Sequence, residues 1–249
     1  MGKKLLSELT KILLFIFVFV TLFSNINIVF AENYDWPTFH FDETRSGVTK
    51  EALKVNSLLE QWRYQTSSSI STSPIIVGNT VYIVADNRKL YAIDGESGEK
   101  KWESDTFINY PLPLGAPTYS NGKIYFTTGG STEYPSYIYA YSSEGIKLWS
   151  FVVFGQISSS SALVYGNKIF VSASTDILYC VNEAGVQEWQ YGLNSPAYAS
   201  PVIGAGRVFV VSGKGRVYAF DFNNLKSLFE IDLPLASGSE CKGTPAFSD

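Results

Sequence analysis

Leu90-Tyr91-Ala92-Ile93-Asp94-Gly95-Glu96-Ser97-Gly98-Glu99-Lys100-Lys101-Trp102 carries the pattern that decides the fold. The β-branched and aromatic run from Leu90 to Ile93 reads as a strand. Asp94 can bond the backbone of its own turn, and Gly98 supplies a positive φ. Four residues after Gly98, Trp102 ends a second short run. The two runs form a hairpin, which is marginal alone and must pack its apolar face elsewhere.

The same unit recurs outward from that stretch. Trp62, Trp102, Trp149 and Trp189 are 40, 47 and 40 residues apart, and Phe229 follows 40 residues later. Tyr91, Tyr139, Tyr179 and Tyr218 are spaced 48, 40 and 39; Gly78, Gly122, Gly166 and Gly206 are spaced 44, 44 and 40. A shared period near forty is the mark of a repeat architecture. Each unit adds two more apolar runs, such as Ile75-Ile76-Val77 before Gly78 and Val81 to Val84 after it. Four short strands per unit predict an all-β fold, a β-propeller of four-stranded antiparallel blades. A β-sandwich has the strands but does not explain the period.

About four complete blades run from Ser71 to Phe229. A fifth starts at Gly243-Thr244-Pro245-Ala246-Phe247, which matches Ala116-Pro117-Thr118-Tyr119. Leu58 to Trp62 reads as the outermost strand of a blade whose other strands are missing, a ring-closing strand. The expectation is a partial ring, with residues 32–66 as an N-terminal segment and 67–249 as propeller. Its open apolar ends predict self-association.

The first residues read as an address. Lys3, Lys4 and Lys11 precede the uncharged run Ile12 to Phe23, and Val29 and Ala31 supply small residues before Glu32. This is the layout of a secretory signal peptide over residues 1–31, cleaved between Ala31 and Glu32. Kept uncleaved, it would be the chain's one route to a membrane. The expected location is therefore secreted or cell envelope.

The hairpin pattern, a small Ala, then Asp94, then Ser97-Gly98, then Trp102, resembles the repeat of the PQQ-like (pyrroloquinoline-quinone-type) β-propeller family. That family includes quinoprotein alcohol dehydrogenases and BamB-type assembly lipoproteins. The stretch Asp35 to Gly47 also looks like the segment preceding the first blade in such proteins. The resemblance implies that Trp62, Trp102, Trp149 and Trp189 pack across blade seams, with Gly98, Gly145 and Gly185 in the turns four residues before the last three. The same turns of the second and third units lack Asp94's counterpart and are one residue shorter. The fourth carries Leu225 in place of Gly and Phe229 in place of Trp, so its seam should be looser.

Composition excludes several chemistries. The 249 residues are 45% hydrophobic, 15% aromatic and 17% charged, with net charge −4, one His and two Cys. Nucleic acid needs a clustered basic surface that is absent here. A lone His40 builds no His-based metal site and reads as a structural hydrogen-bonding residue. Cys180 stands where other units carry Ala and reads as a small core residue; Cys241 reads as a free thiol. Asp86, Asp94, Asp176 and Asp221 fall at strand ends and read as turn residues. Gly213-Lys214-Gly215 is too short for a phosphate cradle. The serine runs 67–69 and 158–161 read as small residues near the propeller axis. No catalytic, cofactor or metal residue is assigned. A quinone-dependent dehydrogenase, or a degenerate fragment of one, would need a catalytic carboxylate, calcium and quinone-stacking partners. The second unit carries a five-residue insertion within residues 128–136, and Tyr134 on it is the expected rim contact. The expected function is a non-catalytic exported scaffold binding a protein, peptide or glycan, with the dehydrogenase as the alternative.

Overall fold

The computed structural model describes residues 35–40, 42, 44–45, 60–107, 112–113, 115–131, 133–157 and 160–247. The signal segment at 1–31, with Ala31 and Glu32, lies outside these residues, as do Leu58 and Leu59.

The described residues form sixteen strands in four separate four-stranded antiparallel sheets. The first blade holds β1 (Ile75–Val77), β2 (Thr80–Ala85), β3 (Lys89–Asp94) and β4 (Lys100–Glu103). The second holds β5 (Thr118–Ser120), β6 (Lys123–Thr128), β7 (Ser136–Ser142) and β8 (Lys147–Val153). The third holds β9 (Leu163–Tyr165), β10 (Lys168–Ala173), β11 (Ile177–Asn182) and β12 (Gln187–Gly192). The fourth holds β13 (Val202–Gly204), β14 (Arg207–Val211), β15 (Arg216–Asp221) and β16 (Ser227–Asp232). Strand order within every sheet follows chain order. The short first strands of successive blades, β1, β5, β9 and β13, lie against one another, so they face a common axis and the last strands face outward. The arc is not closed into a ring.

The core lies between blades. One apolar cluster joins blades one and two around Tyr82, Phe126 and Tyr139. A second joins blades two and three around Tyr125, Val153 and Tyr179, and a third joins blades three and four around Phe170, Tyr218 and Phe220. The central strands are buried on both faces, which is why they read as continuous apolar runs rather than alternating ones.

Each blade carries a bulge at one place, between Ala92 and Ile93, Ala140 and Tyr141, Cys180 and Val181, and Ala219 and Phe220. There the small residue faces the large one across the strands: Ala92 pairs Trp102, Ala140 pairs Trp149, Cys180 pairs Trp189, and Ala219 pairs Phe229. Directly paired residues share a face with Cβ atoms about 5 Å apart. A bulky residue there would displace the indole. The small residue of the repeat and the aromatic that follows it are thus one packing unit.

Of the expected strand Leu58–Trp62, the described residues 60–62 form no strand, and Leu58 and Leu59 lie outside the described residues. A strand needs a ladder partner, and among the described residues there is no blade ahead of the first. Trp62 and Tyr64 instead cover the outer face of blade one.

Candidate functional site

The seams repeat one device. A methyl group built on Gly98 would lie 2.7 Å from the Trp62 ring; on Gly145, 2.7 Å from Trp102; on Gly185, 2.7 Å from Trp149. All three glycines have positive φ. Each indole N–H donates to a carbonyl of the same turn: Trp62 to Gly95 at 2.8 Å, Trp102 to Ser143 at 3.0 Å, Trp149 to Glu183 at 2.8 Å. Trp189 departs from this. Its partner turn holds Leu225 at φ 58°. The ring packs edge-on to Phe220 at 5.2 Å instead, and among the described residues it has no such hydrogen bond.

The turns are held by short polar side chains. Asp94 Oδ1 accepts from the N–H groups of Glu96 and Ser97, and Asp221 Oδ1 from those of Asn223 and Asn224. These bonds and Lys101 hold the Asp94 carboxyl well below the usual carboxylate range. Where Asp is missing, Asn182 accepts from Ala184 and Val186, and Ser142 from Glu144. Asp86 instead accepts from the hydroxyls of Ser69 and Ser71.

At the axis a second ladder runs from blade to blade. The Ala116 N–H donates to Ser161 Oγ at 3.0 Å, the Ser161 N–H to Ser200 Oγ at 2.9 Å, and the Ser200 N–H to Thr244 Oγ1 at 3.3 Å. Each residue precedes the first strand of its unit, so Thr244 already stands where a fifth first strand begins. Phe247 stacks on Phe209 at 5.9 Å.

The N-terminal segment crosses these first strands. Trp36 exchanges backbone hydrogen bonds with Ile76, and Pro37 O accepts from the Tyr119 N–H at 2.7 Å. The Thr38 and Thr118 hydroxyls are 3.1 Å apart. Buried Arg45 donates to Thr38 Oγ1 at 2.9 Å, Phe39 O at 2.8 Å and Ala162 O at 3.3 Å. Thr44 O accepts from the Phe247 N–H at 3.0 Å. One segment therefore touches blades one, two and three and the start of a fifth.

A family model described as outer membrane protein assembly factor BamB, a PQQ-type repeat model, matches residues 59–133 and 135–235. The chain belongs to this family.

Members and neighbours of the BamB-like family divide in kind. Quinoprotein glucose dehydrogenase A of Acinetobacter calcoaceticus is 23% identical over 252 aligned residues, covering 84% of this chain and 29% of that protein. BamB of Burkholderia pseudomallei is 26% identical over 121 residues, covering 49% of this chain and 30% of its own. The chain thus spans under a third of the length of these curated relatives. Among solved structures, quinohemoprotein alcohol dehydrogenase from Comamonas testosteroni aligns with TM-score 0.60 at 16% identity, over 86% of this chain and 52% of that one. BamB from Moraxella catarrhalis aligns with TM-score 0.56 at 14% identity, over 70% and 55%.

The described axial residues of this BamB-like arc do not fit a quinone–calcium pair. They offer hydroxyls, carbonyls and the Arg45 guanidinium, whereas calcium takes six to eight oxygens with carboxylates among them. Asp42, in the crossing segment, accepts from Thr44 Oγ1 at 2.7 Å. Among the described residues no group of three or more His, Cys, Asp or Glu could hold a metal ion. Cys180 is fully buried and its thiol is pushed up to about 12 by burial, which suits packing rather than nucleophilic attack. Cys241 is a part-exposed free thiol. His40 lies in a turn of the N-terminal segment. Its exposed ring stacks on Phe39 at 3.9 Å, and among the described residues its backbone carbonyl accepts from the Asp42 N–H.

The insertion forms a compact turn between β6 and β7. The Ser131 N–H donates to Tyr134 O and the Tyr134 N–H returns to Ser131 Oγ. Tyr134 is 45% exposed.

Proposed function

We propose that this chain is an exported, non-catalytic propeller scaffold that binds a protein, peptide or glycan in the cell envelope or outside the cell. The observation that carries the reading is the axis. Side chains from successive blades converge there, and the chain's own N-terminal segment occupies it through Arg45, Thr38 and Thr44. Among the described residues, Asp94 and Asp221 are used in turns, Glu103 and Glu183 in surface ion pairs, and Cys180 in the core. The name of one relative, an outer membrane protein assembly factor, supports a protein-binding role in the envelope.

A quinone-dependent dehydrogenase is the second reading, favoured by the 84% coverage against a quinoprotein. Incubating the purified chain with pyrroloquinoline quinone and calcium separates the two. The scaffold reading expects free quinone only after desalting and no dye reduction with glucose or ethanol. Stoichiometric bound quinone absorbance would overturn it.

A further inference from the structure

The outer edges of the four blades are not equivalent. Such an edge presents unpaired N–H and C=O groups, and native proteins normally blunt it with charge. Blade one does so with Glu99, Lys100, Lys101 and Glu103, blade three with Glu188 between Gln187 and Gln190, and blade four with Lys226, Glu230 and Asp232. Blade two does so least. Its edge reads Ile146-Lys147-Leu148-Trp149-Ser150-Phe151-Val152-Val153-Phe154, with Lys147 as its one charge and Ser150 as its one small polar residue; the matching stretch of blade three, Val186 to Asn194, also holds one charge but adds Gln187, Gln190 and Asn194. Trp149, Phe151 and Val153 turn into the seam with blade three. Ile146, Leu148, Val152 and Phe154 are 64%, 44%, 37% and 73% exposed. The backbone under Phe154 is fixed, because its carbonyl accepts from Thr175 Oγ1 at 2.7 Å and from the Tyr179 hydroxyl at 3.3 Å.

A second departure from the repeat falls in the same blade. The insertion that carries Tyr134 leads directly into β7, where Ser136 pairs Val153 and Ser136 Oγ donates to Gly155 O at 2.7 Å. Tyr134 and Phe154 therefore stand at the same end of the edge, one on the rim turn and one on the strand. Exposed aromatics of this kind anchor protein contacts.

We propose that the β8 edge is a strand-addition site for an extended segment of a partner protein, with Phe154 and Tyr134 as its anchors. This deepens the scaffold reading and rests on it. Seven residues of strand span about 23 Å. Two folded bodies meeting along one such edge fall short of the roughly 1,200–2,000 Å² of a stable interface. An extended segment gains its affinity from main-chain hydrogen bonds and from alternate side chains, so a single edge suffices. The segment that fits is uncharged, with β-branched or aromatic residues at alternate positions.

The test uses a labelled ten-residue peptide of alternating valine and threonine, capped by lysines, and fluorescence anisotropy with the purified chain. Saturable binding is expected. It should fall at least tenfold with Val152→Lys, with the same peptide N-methylated at alternate residues, and not with Gln190→Lys on the matching edge of blade three. Circular dichroism of each variant establishes that it is folded. No saturable binding, equal binding of the N-methylated peptide, or loss with Gln190→Lys would each overturn the site. Self-association of the chain that Val152→Lys abolishes, seen by light scattering, would overturn the partner assignment in favour of a second copy. Quinone binding at the axis with peptide binding intact would instead remove the scaffold reading and leave the edge standing.

Discussion

The Trp102 ring lies against the backbone of Gly145, one blade away, and leaves no room there for a Cβ. A methyl group at that position would come within 2.7 Å of the ring. The same contact joins Trp62 to Gly98 and Trp149 to Gly185, so the period of the sequence is the period of a joint between blades.

The joint separates two demands on glycine. Gly122 and Gly145 both have positive φ, at 75° and 85°, but Gly122 has nothing within 4 Å of the position a Cβ would take. Gly122→Ala should cost about 1 kcal/mol, from backbone conformation alone. Gly145→Ala should cost at least about 2 kcal/mol more, because the indole must move. Urea denaturation of both variants measures the difference. Equal losses would mean that the seam tolerates a side chain at Gly145.

The axial hydroxyls make a related prediction. Ser161→Ala strands the buried Ala116 N–H, and Ser200→Ala strands that of Ser161. Each should cost about 1–3 kcal/mol, the range for an unmade buried hydrogen bond. Glu99→Ala, on the outer surface, should lie within about 0.5 kcal/mol of the parent. Thermal denaturation of the three, side by side, gives the comparison. Serine variants as mild as the surface one would remove the ladder from the account.

Much of this is legible in the sequence because it is local. The Gly-to-Trp spacing reports a turn followed by an indole, and the Ala ten residues before Trp102 reports a cross-strand fit. Asn182 and Ser142 escape a sequence reading as stand-ins for Asp94, although short polar residues at that position are the available signal. Arg45 is not legible, because its contact with Ala162 O spans 117 residues and nothing near Arg45 announces it. Nor is the bare edge of blade two. Phe151 and Phe154 look alike in sequence, and strand parity together with the neighbouring blade decides that one packs inward and the other faces solvent.

The outer face of blade one carries a pH-dependent ion cluster. Lys100 and Lys89 hold the Glu103 carboxyl down to about 2 from an ordinary 4.5. A depressed folded-state value means stabilisation that is complete above about pH 4.5 and lost as pH falls toward 2. Glu103→Gln should therefore be less stable than the parent at pH 6, with the gap closing by pH 2. It should also shrink in 1 M salt, because the pair is partly exposed. Denaturation midpoints across that pH range provide the check. A gap unchanged at pH 2 would assign the loss to packing.

The occupied axis is the claim on which the functional account turns, and a disulfide tests it directly. The Thr38 and Thr118 hydroxyls are 3.1 Å apart though 80 residues separate them in sequence. With Cys241→Ser as background, the Thr38→Cys, Thr118→Cys chain should form an intramolecular disulfide under mild oxidation with little backbone movement. The bonded peptide pair should then appear in mass spectrometry of a digest of the folded monomer. A pair that stays reduced in folded protein, while both introduced thiols react freely with a thiol reagent, would show the axis open to solvent and contradict the account.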